Sequence, residues 1–192
     1  VEFIQDGETK AQITVGRGKK IAEESVPAPN AEKDNCFTEW NFDFASPVNK
    51  NMTADTVTYT RGLSFIKSLK GDYYLATGYN GETPDLHMPD YYKGMPVSSI
   101  QAEAFRGNQT IVTVRFPSAL LSVANGAFKS CNNLTSAMLP DTVTAIGSSA
   151  FEDCTSLTEF RIPPLIKTIT SRMAQGHKYD FLALPEGVTV IE

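Results

Sequence analysis

The chain repeats itself every 23 residues over much of its length. Phenylalanine occurs at Phe105, Phe128 and Phe151, each time directly after alanine. Further columns keep the same spacing: Pro117, Pro140 and Pro163; Val123, Ile146 and Ile169; Ile111, Leu134 and Leu157; Cys131 and Cys154. A fixed period carried by several apolar columns is typical of a solenoid made of stacked coils. Because stacked coils present an extended surface, the repeat favours binding over catalysis.

Each repeat is predicted to begin with a short strand that ends at proline, which has no N–H to donate to a ladder. These strands are predicted at 113–117, 136–140, 159–163 and 181–185. Side chains alternate between the faces of a strand, so Val114 and Phe116 are predicted to face the core. The Ala-Phe segment that follows is predicted to form one short helical turn, which places the phenylalanine in a stacked aromatic core. Cys131 and Cys154 share one repeat position and are interpreted as buried thiols.

The chain divides into two regions with different patterns. Residues 1–60 lack the repeat and alternate apolar and polar residues in short stretches, which predicts a small β module. Within it, the segment 23–35 is predicted to be a loop. Residues 61–85 are predicted to form a hairpin, turning at 70–72, that covers the open end of the first coil. The hairpin and the repeats together make a solenoid region over 61–192.

Composition and motifs exclude several function classes. The net charge is −5 over 192 residues, and Lys and Arg are not clustered, so nucleic acid is not an expected partner. No apolar run approaches the roughly 18 residues of a membrane span. We find no metal motif, nucleophile elbow or phosphate-binding glycine loop, so no cofactor and no enzymatic activity are predicted. The chain does not begin with Met, and its repeat degrades after Met173, which favours a sequence cut from a longer protein.

The outward face of the predicted strands is the leading candidate for a binding site. Arg115 and Arg161, two coils apart, are expected roughly 10 Å from each other, and arginine is suited to carboxylate recognition. The alternative is that Arg161 pairs with Glu159 or Asp180 and only keeps the sheet soluble. Aligning the strands on proline gives two outward columns: His87, Arg115, Met138, Arg161 and Ala183; and Asp85, Thr113, Ser136, Glu159 and Phe181.

Two aromatic features give further candidates. Tyr91 and Tyr92, beside Lys93, lie in an extended loop of the first coil, and tyrosine is favoured at interfaces. This loop is the second candidate contact site. Trp40 is the only tryptophan and is interpreted as a core anchor of the N-terminal module, the alternative being a platform for sugars.

The repeat 134–156 carries features of a known family: the proline after the strand, the Ile146-Gly147 pair, the Ala150-Phe151 pair and the following Cys154. With these features, residues of about 63–192 resemble the BspA-like leucine-rich repeat. The N-terminal module resembles the internalin-B-type B repeat, a small β-grasp-like fold. The residues that carry this second resemblance are Gly18–Ile21, Pro27, Pro29, Phe37–Trp40 and Phe42–Val48.

The two resemblances imply a mostly β protein with short helical turns, in which a β-grasp-like module precedes a leucine-rich repeat solenoid. Both families imply secreted or surface-attached bacterial proteins used for adhesion and protein binding. We therefore expect a non-enzymatic, monomeric, extracellular module that binds a host protein, a neighbouring-cell protein or a glycan through the outward strand face. The alternative is a structural spacer or assembly segment of a large cell-wall protein.

Overall fold

The computed structural model describes residues 1–30, 36–173, 175–176 and 186–191. In these ranges the chain consists of short strands and turns, and the one helical element is the 3-10 helix Glu23–Ser25. It lies in the segment predicted to be a loop. The mostly β fold is thus confirmed. The strands are, in chain order, β1 (Glu2–Gln5), β2 (Glu8–Gln12), β3 (Cys36–Trp40), β4 (Thr53–Ala54), β5 (Thr56–Thr60), β6 (Leu63–Lys67), β7 (Tyr74–Tyr79), β8 (Asp85–His87), β9 (Tyr91–Tyr92), β10 (Met95–Ile100), β11 (Thr113–Arg115), β12 (Ser122–Val123), β13 (Ala145–Ile146), β14 (Thr168–Thr170) and β15 (Thr189–Ile191).

The N-terminal module is a small sheet with its own aromatic core. Strand β1 lies at the centre, antiparallel to β2 and parallel to β4. Phe3 from β1 is fully buried, and its ring packs edge-on against Trp40 and Phe42 at 5.3 and 5.4 Å. The Trp40 indole N–H donates to the Pro27 carbonyl at 2.8 Å. Trp40 is therefore a core residue, as predicted. The resemblance to an internalin-B-type repeat stays a prediction.

A hairpin joins the two regions. Strands β3 and β5 pair antiparallel from Cys36 opposite Thr60 to Trp40 opposite Thr56. The two ends of this hairpin belong to different cores: Trp40 packs in the N-terminal core, whereas Tyr59 packs among the buried residues of the repeats. The two cores therefore meet within one pair of strands. The predicted boundary at residue 60 stays a prediction.

The hairpin that opens the solenoid forms where it was predicted. Strands β6 and β7 pair antiparallel, and the turn between them contains Gly71, whose φ of +76° favours glycine. The Ser68 hydroxyl oxygen accepts hydrogen bonds from the backbone N–H groups of Gly71 and Asp72 at 3.1 and 3.3 Å. On its other edge β7 pairs parallel with β10. The hairpin thus provides the first strand of a ladder.

The repeats stack through two parallel ladders. The first ladder contains β8 and β11, and continues as single bridges from Thr113 to Ser136 and from Ser136 to Glu159. Of the predicted strands, 113–117 forms one, shortened to β11, whereas 136–140 and 159–163 contribute only single bridges. The segment 181–185 lies outside the described residues. The second ladder contains β7, β10, β12 and β13. Three of its residues, Ile100, Val123 and Ile146, are buried and lie 23 residues apart. The sequence indicated the regular spacing of these apolar residues but did not predict that they form a second ladder.

The Ala-Phe segments form tandem turns, each closed by a backbone hydrogen bond to the residue three positions earlier, and they do not form a continuous helix. The amide of Ala127 bonds within its own coil, to Ala124 at 3.3 Å. The amides of Phe105 and Phe128 instead donate to Ala127 and Ala150 of the next coil, each at 2.8 Å. An α-helix would keep all of these bonds inside one coil. Successive amides therefore alternate: one donates within its own coil and the next donates to the neighbouring coil. The hydrogen bonds between coils fix the stacking distance.

The aromatic core of the repeats is stacked as predicted. The Phe105 and Phe128 rings are 4.8 Å apart and the Phe128 and Phe151 rings 5.3 Å apart, both pairs nearly parallel. Cys131 and Cys154 are buried free thiols, which confirms their interpretation. Burial raises the pKa of both thiols to about 12.

Candidate binding surface

The first ladder brings most of the predicted site residues together. Asp85 is opposite Thr113, Thr113 opposite Ser136, and Ser136 opposite Glu159. His87 is opposite Arg115 in the same register. We call this surface the ladder face, and Phe181, which was predicted to continue it, lies outside the described residues. The ladder face comprises Asp85, His87, Thr113, Arg115, Ser136, Met138, Glu159 and Arg161.

Hydrogen bonds fix the ladder face at its N-terminal edge. The Thr113 hydroxyl donates to an Asp85 carboxylate oxygen at 2.5 Å. The Thr60 hydroxyl, from strand β5, accepts from the backbone N–H of His87 at 2.7 Å and donates to the Asp85 carbonyl at 3.3 Å. Strand β5 therefore flanks the first strand of the ladder, and the ladder face begins at the exposed Asp85 and the half-buried His87.

The two arginines of the ladder face are in different states. The Arg161 guanidinium donates to the Asp141 carboxylate, so the predicted pairing with Glu159 is wrong, and Asp180 lies outside the described residues. Asp141 follows the proline of the preceding coil, which brings it closer to Arg161 than a side chain on the same strand. Arg115 is exposed, and its side chain makes no hydrogen bond or ion pair with any residue that the structure describes.

The register explains the difference between the arginines. With His87 opposite Arg115, Asp90 follows the proline of the coil before Arg115, just as Asp141 follows the proline of the coil before Arg161. The Asp90 carboxylate, however, accepts a hydrogen bond from the backbone N–H of Ser118 at 2.6 Å. Asp90 is therefore engaged with the backbone, which leaves the Arg115 guanidinium toward solvent.

The middle of the ladder face is apolar on one side of Arg115. Met138, one coil further, is 48% exposed. Acidic residues lie at both ends of the neighbouring column, at Asp85 and Glu159, and both are exposed. The surface thus offers one unpaired cation beside an exposed apolar side chain, with half-buried hydroxyls of Thr113 and Ser136 next to them.

The second candidate contact loop divides between surface and core. Tyr91 is 49% exposed. The Tyr92 ring packs against Phe65 at 4.5 Å, Tyr74 at 4.9 Å and Tyr59 at 5.8 Å. Tyr92 is therefore a half-buried anchor of the loop, and Tyr91 is the more exposed of the two candidate contacts.

A groove between the N-terminal module and the first coil was not predicted. It encloses about 670 Å³ and is formed by three segments distant in sequence, 23–29, 39–45 and the loop at Lys93. We call it the junction groove. No short motif marks it, because its walls are brought together only by packing.

Among the described residues, no cluster of His, Cys, Asp and Glu is arranged to hold a metal ion, and no helix there is long and apolar enough to cross a membrane.

The model for the BspA type leucine rich repeat region matches residues 89–192 in six copies. Among solved structures, the chain is similar to a leucine-rich repeat protein from Bacteroides ovatus ATCC 8483, with 26% identity and a TM-score of 0.62 over 68% of this chain and 36% of that chain. It therefore spans about a third of that protein. A leucine-rich repeat protein from Bacteroides capillosus ATCC 29799 has the same fold, with 19% identity and a TM-score of 0.56 over 71% of this chain and 99% of that chain.

A comparison with curated proteins gives no match. The match to the repeat model covers more than half of the chain, and the stacked phenylalanines and parallel ladders account for its periodicity. Leucine-rich repeat solenoids of this kind favour a protein-binding role over an enzymatic one. The chain belongs to the family of BspA type leucine-rich repeat proteins.

Proposed function

We propose that this chain is a non-enzymatic, extracellular binding module of a bacterial surface protein, which recognises a protein or a glycan through the ladder face. The observation that carries the proposal is the unpaired Arg115 guanidinium on a hydrogen-bonded ladder. Membership of the repeat family supports the location and the class of function. The partner is proposed to be on a host cell or a neighbouring cell.

The chemistry of the ladder face favours an acidic partner group. A guanidinium binds a carboxylate through two parallel hydrogen bonds, which gives both affinity and orientation. Met138, exposed beside it, offers an adaptable apolar contact. Because hydrogen bonds between coils hold the backbone at Arg115 and at Ala137 beside Met138, binding orders little besides the side chains themselves. We expect a carboxylate flanked by an apolar group at the centre of the contact.

The paired state of Arg161 favours a second candidate, a spacer in a larger cell-wall protein. An arginine held by Asp141 at the surface is a common solvated ion pair, which contributes little to binding or stability. If the whole ladder face behaves this way, it serves solubility alone. The two candidates differ in whether Arg115 contacts a partner.

The test measures binding of the protein to immobilised extracellular-matrix proteins and surface glycans by biolayer interferometry. For a ligand that binds saturably, we expect Arg115→Ala to weaken the affinity by about tenfold or more, as for a central arginine in an interface. Arg161→Ala is expected to have a smaller effect, since the guanidinium must first leave Asp141.

Arg106→Ala is the matched control, because Arg106 is also exposed and pairs with Glu103 on the turn side of the coil. A ligand that binds the Arg115→Ala and Arg106→Ala variants equally well would show that the ladder face is not the site. Absence of saturable binding to every member of the panel would favour the spacer.

A further inference from the structure

The junction groove has an acidic rim and an apolar wall. Four of its lining residues are acidic, Glu23, Glu24, Glu39 and Asp43, and one basic residue, Lys93, faces them. The apolar part of the lining is made by Val26, Ala28, Pro29, Trp40, Phe42, Phe44 and Ala45. The groove lies outside the ladder face.

The acidic residues of the groove differ in what they contact. The Asp43 carboxylate accepts from the backbone N–H of Ala45 at 3.0 Å and from the Ser46 hydroxyl at 2.7 Å, and Lys67 is 3.8 Å away. Asp43 is therefore already compensated. Glu23 and Glu24 lie on the 3-10 helix and are exposed. Their carboxylates are available at the rim.

Glu39 is a partly buried acid of the wall that is only partly compensated. Its Oε1 atom is buried and has no hydrogen-bond partner in the part of the chain that the structure describes. Burial raises the pKa of Glu39 above its usual value. The positive charge of Lys93 and the Tyr59 hydroxyl lower this pKa in part, and the negative charge of Glu23 raises it further. The Lys93 ammonium lies 5.4 Å from the centroid of the Tyr92 ring, and no ion pair joins it to Glu39 within 4.0 Å. A partly buried carboxylate that is not closely paired with a cation is unfavourable.

The apolar wall suits a cation that is carried on a hydrocarbon stem. Lysine and arginine pack their methylene stems against apolar surface while the charged end stays among polar groups. Phe44 is half-buried beside the more deeply buried Trp40 and Phe42, so aromatic surface is within the groove. An anion would meet an excess of negative charge at the rim.

We propose that the junction groove binds a lysine or arginine side chain presented by a partner protein, with its stem on the apolar wall and its cation among Glu23, Glu24 and Glu39. This site is independent of the ladder face and would give the chain a second point of attachment. Two linked contacts of moderate strength bind a partner far more tightly than either contact alone.

The single tryptophan of the chain makes the proposal directly testable. Trp40 lines the groove, so its fluorescence and its single indole N–H resonance report on this site and not on the ladder face. The probes are the amides of Nα-acetyl-lysine and Nα-acetyl-arginine, with those of Nα-acetyl-norleucine and Nα-acetyl-glutamate as neutral and acidic controls. We expect a saturable change with the two basic probes at millimolar concentration, as for an isolated side chain.

Two variants test the acidic residues separately. Glu39→Gln and the double variant Glu23→Gln/Glu24→Gln are each expected to weaken binding of the basic probes about threefold to tenfold. The double variant changes only exposed side chains and so keeps the fold even if Glu39→Gln does not. The matched control is Glu82→Gln, at an exposed glutamate outside the groove.

The proposal is overturned if the basic probes give no saturable change, if norleucine amide binds as well as lysine amide, or if the double variant binds like the Glu82→Gln protein. The result does not depend on the proposed function, because Arg115→Ala is expected to leave the Trp40 signal of the basic probes unchanged.

Discussion

Single positions in each coil are set by contacts with the neighbouring coil. The Cys131 and Cys154 thiols each donate to a phenylalanine carbonyl of the preceding coil at 3.0 Å. At Gly147 an added Cβ would clash with the backbone nitrogen of Asn125. A side chain there would force the two coils apart. Cys131, Cys154 and Gly147 therefore lie where one coil closely approaches the next.

Glu39 gives a prediction about pH. Its pKa is raised in the folded protein, so between the unfolded and folded pKa values the native state binds more protons than the unfolded state. The contribution of this group to stability is complete below the unfolded pKa and is lost as pH rises through the folded pKa. Glu39→Gln stays neutral, so we expect the variant to be more stable than the wild type at neutral pH and to lose this advantage under acid conditions.

Urea unfolding of both proteins between about pH 4 and pH 8 measures this difference. A stability advantage that is constant across this range would contradict the assigned titration. Together with the groove experiment, the variant is expected to gain stability while it loses affinity for lysine amide. That opposition distinguishes a binding carboxylate from a purely structural one.

The coil is the unit at which the core is built. Phe128 is fully buried between Phe105 and Phe151, with Phe116 edge-on at 5.9 Å. Each coil cannot bury its apolar side alone, so stability comes from the interfaces between coils. A defect in one ring therefore weakens two interfaces.

We expect Phe128→Ala to lower the free energy of unfolding by about 3–5 kcal/mol, through lost transfer energy and the cavity that remains. The matched control is Phe37→Ala, at a ring that is 43% exposed, with an expected loss below about 1 kcal/mol. Chemical denaturation followed by circular dichroism measures both. Equal losses at the two positions would rule out a stacked core as the source of stability.

At the scale of the element, the outward columns could be predicted, whereas the hydrogen bonding of the turns could not. Proline marks the end of each strand, so aligning the prolines sets Thr113 opposite Ser136 from the order of the amino acids alone. The Ala-Phe segment has the composition of a helical turn. Whether its amides bond within the coil or to the next coil depends on the stacked partner, which no single repeat contains.

The whole molecule is joined by an aromatic cluster between the two cores. Tyr59 from the β3–β5 hairpin meets Phe65 from β6, with ring centroids 5.5 Å apart, and both contact Tyr92. The module and the repeats therefore share apolar contacts, and we expect them to unfold together. Trp40 fluorescence and the circular dichroism of the repeats should then report one transition.

Tyr92→Ala removes the central ring of this cluster, and we expect it to cost roughly 1–3 kcal/mol and to separate the two transitions. The adjacent Tyr91→Ala variant is the control, because Tyr91 is 49% exposed and should change neither. Coincident transitions in the Tyr92→Ala protein would mean that the coupling lies elsewhere, for instance in the hairpin backbone.

The sequence by itself determined the repeat, its buried columns and the residues of the ladder face, because a fixed period and strand alternation are properties of the chain order. Only the tertiary structure decided that Arg115 has no partner among the described residues while Arg161 contacts Asp141, that Tyr92 packs in an aromatic cluster while Tyr91 is exposed, and that a groove forms beside Trp40. Each of these depends on side chains from segments far apart in sequence, and their contacts exist only once the coils and the N-terminal module have packed.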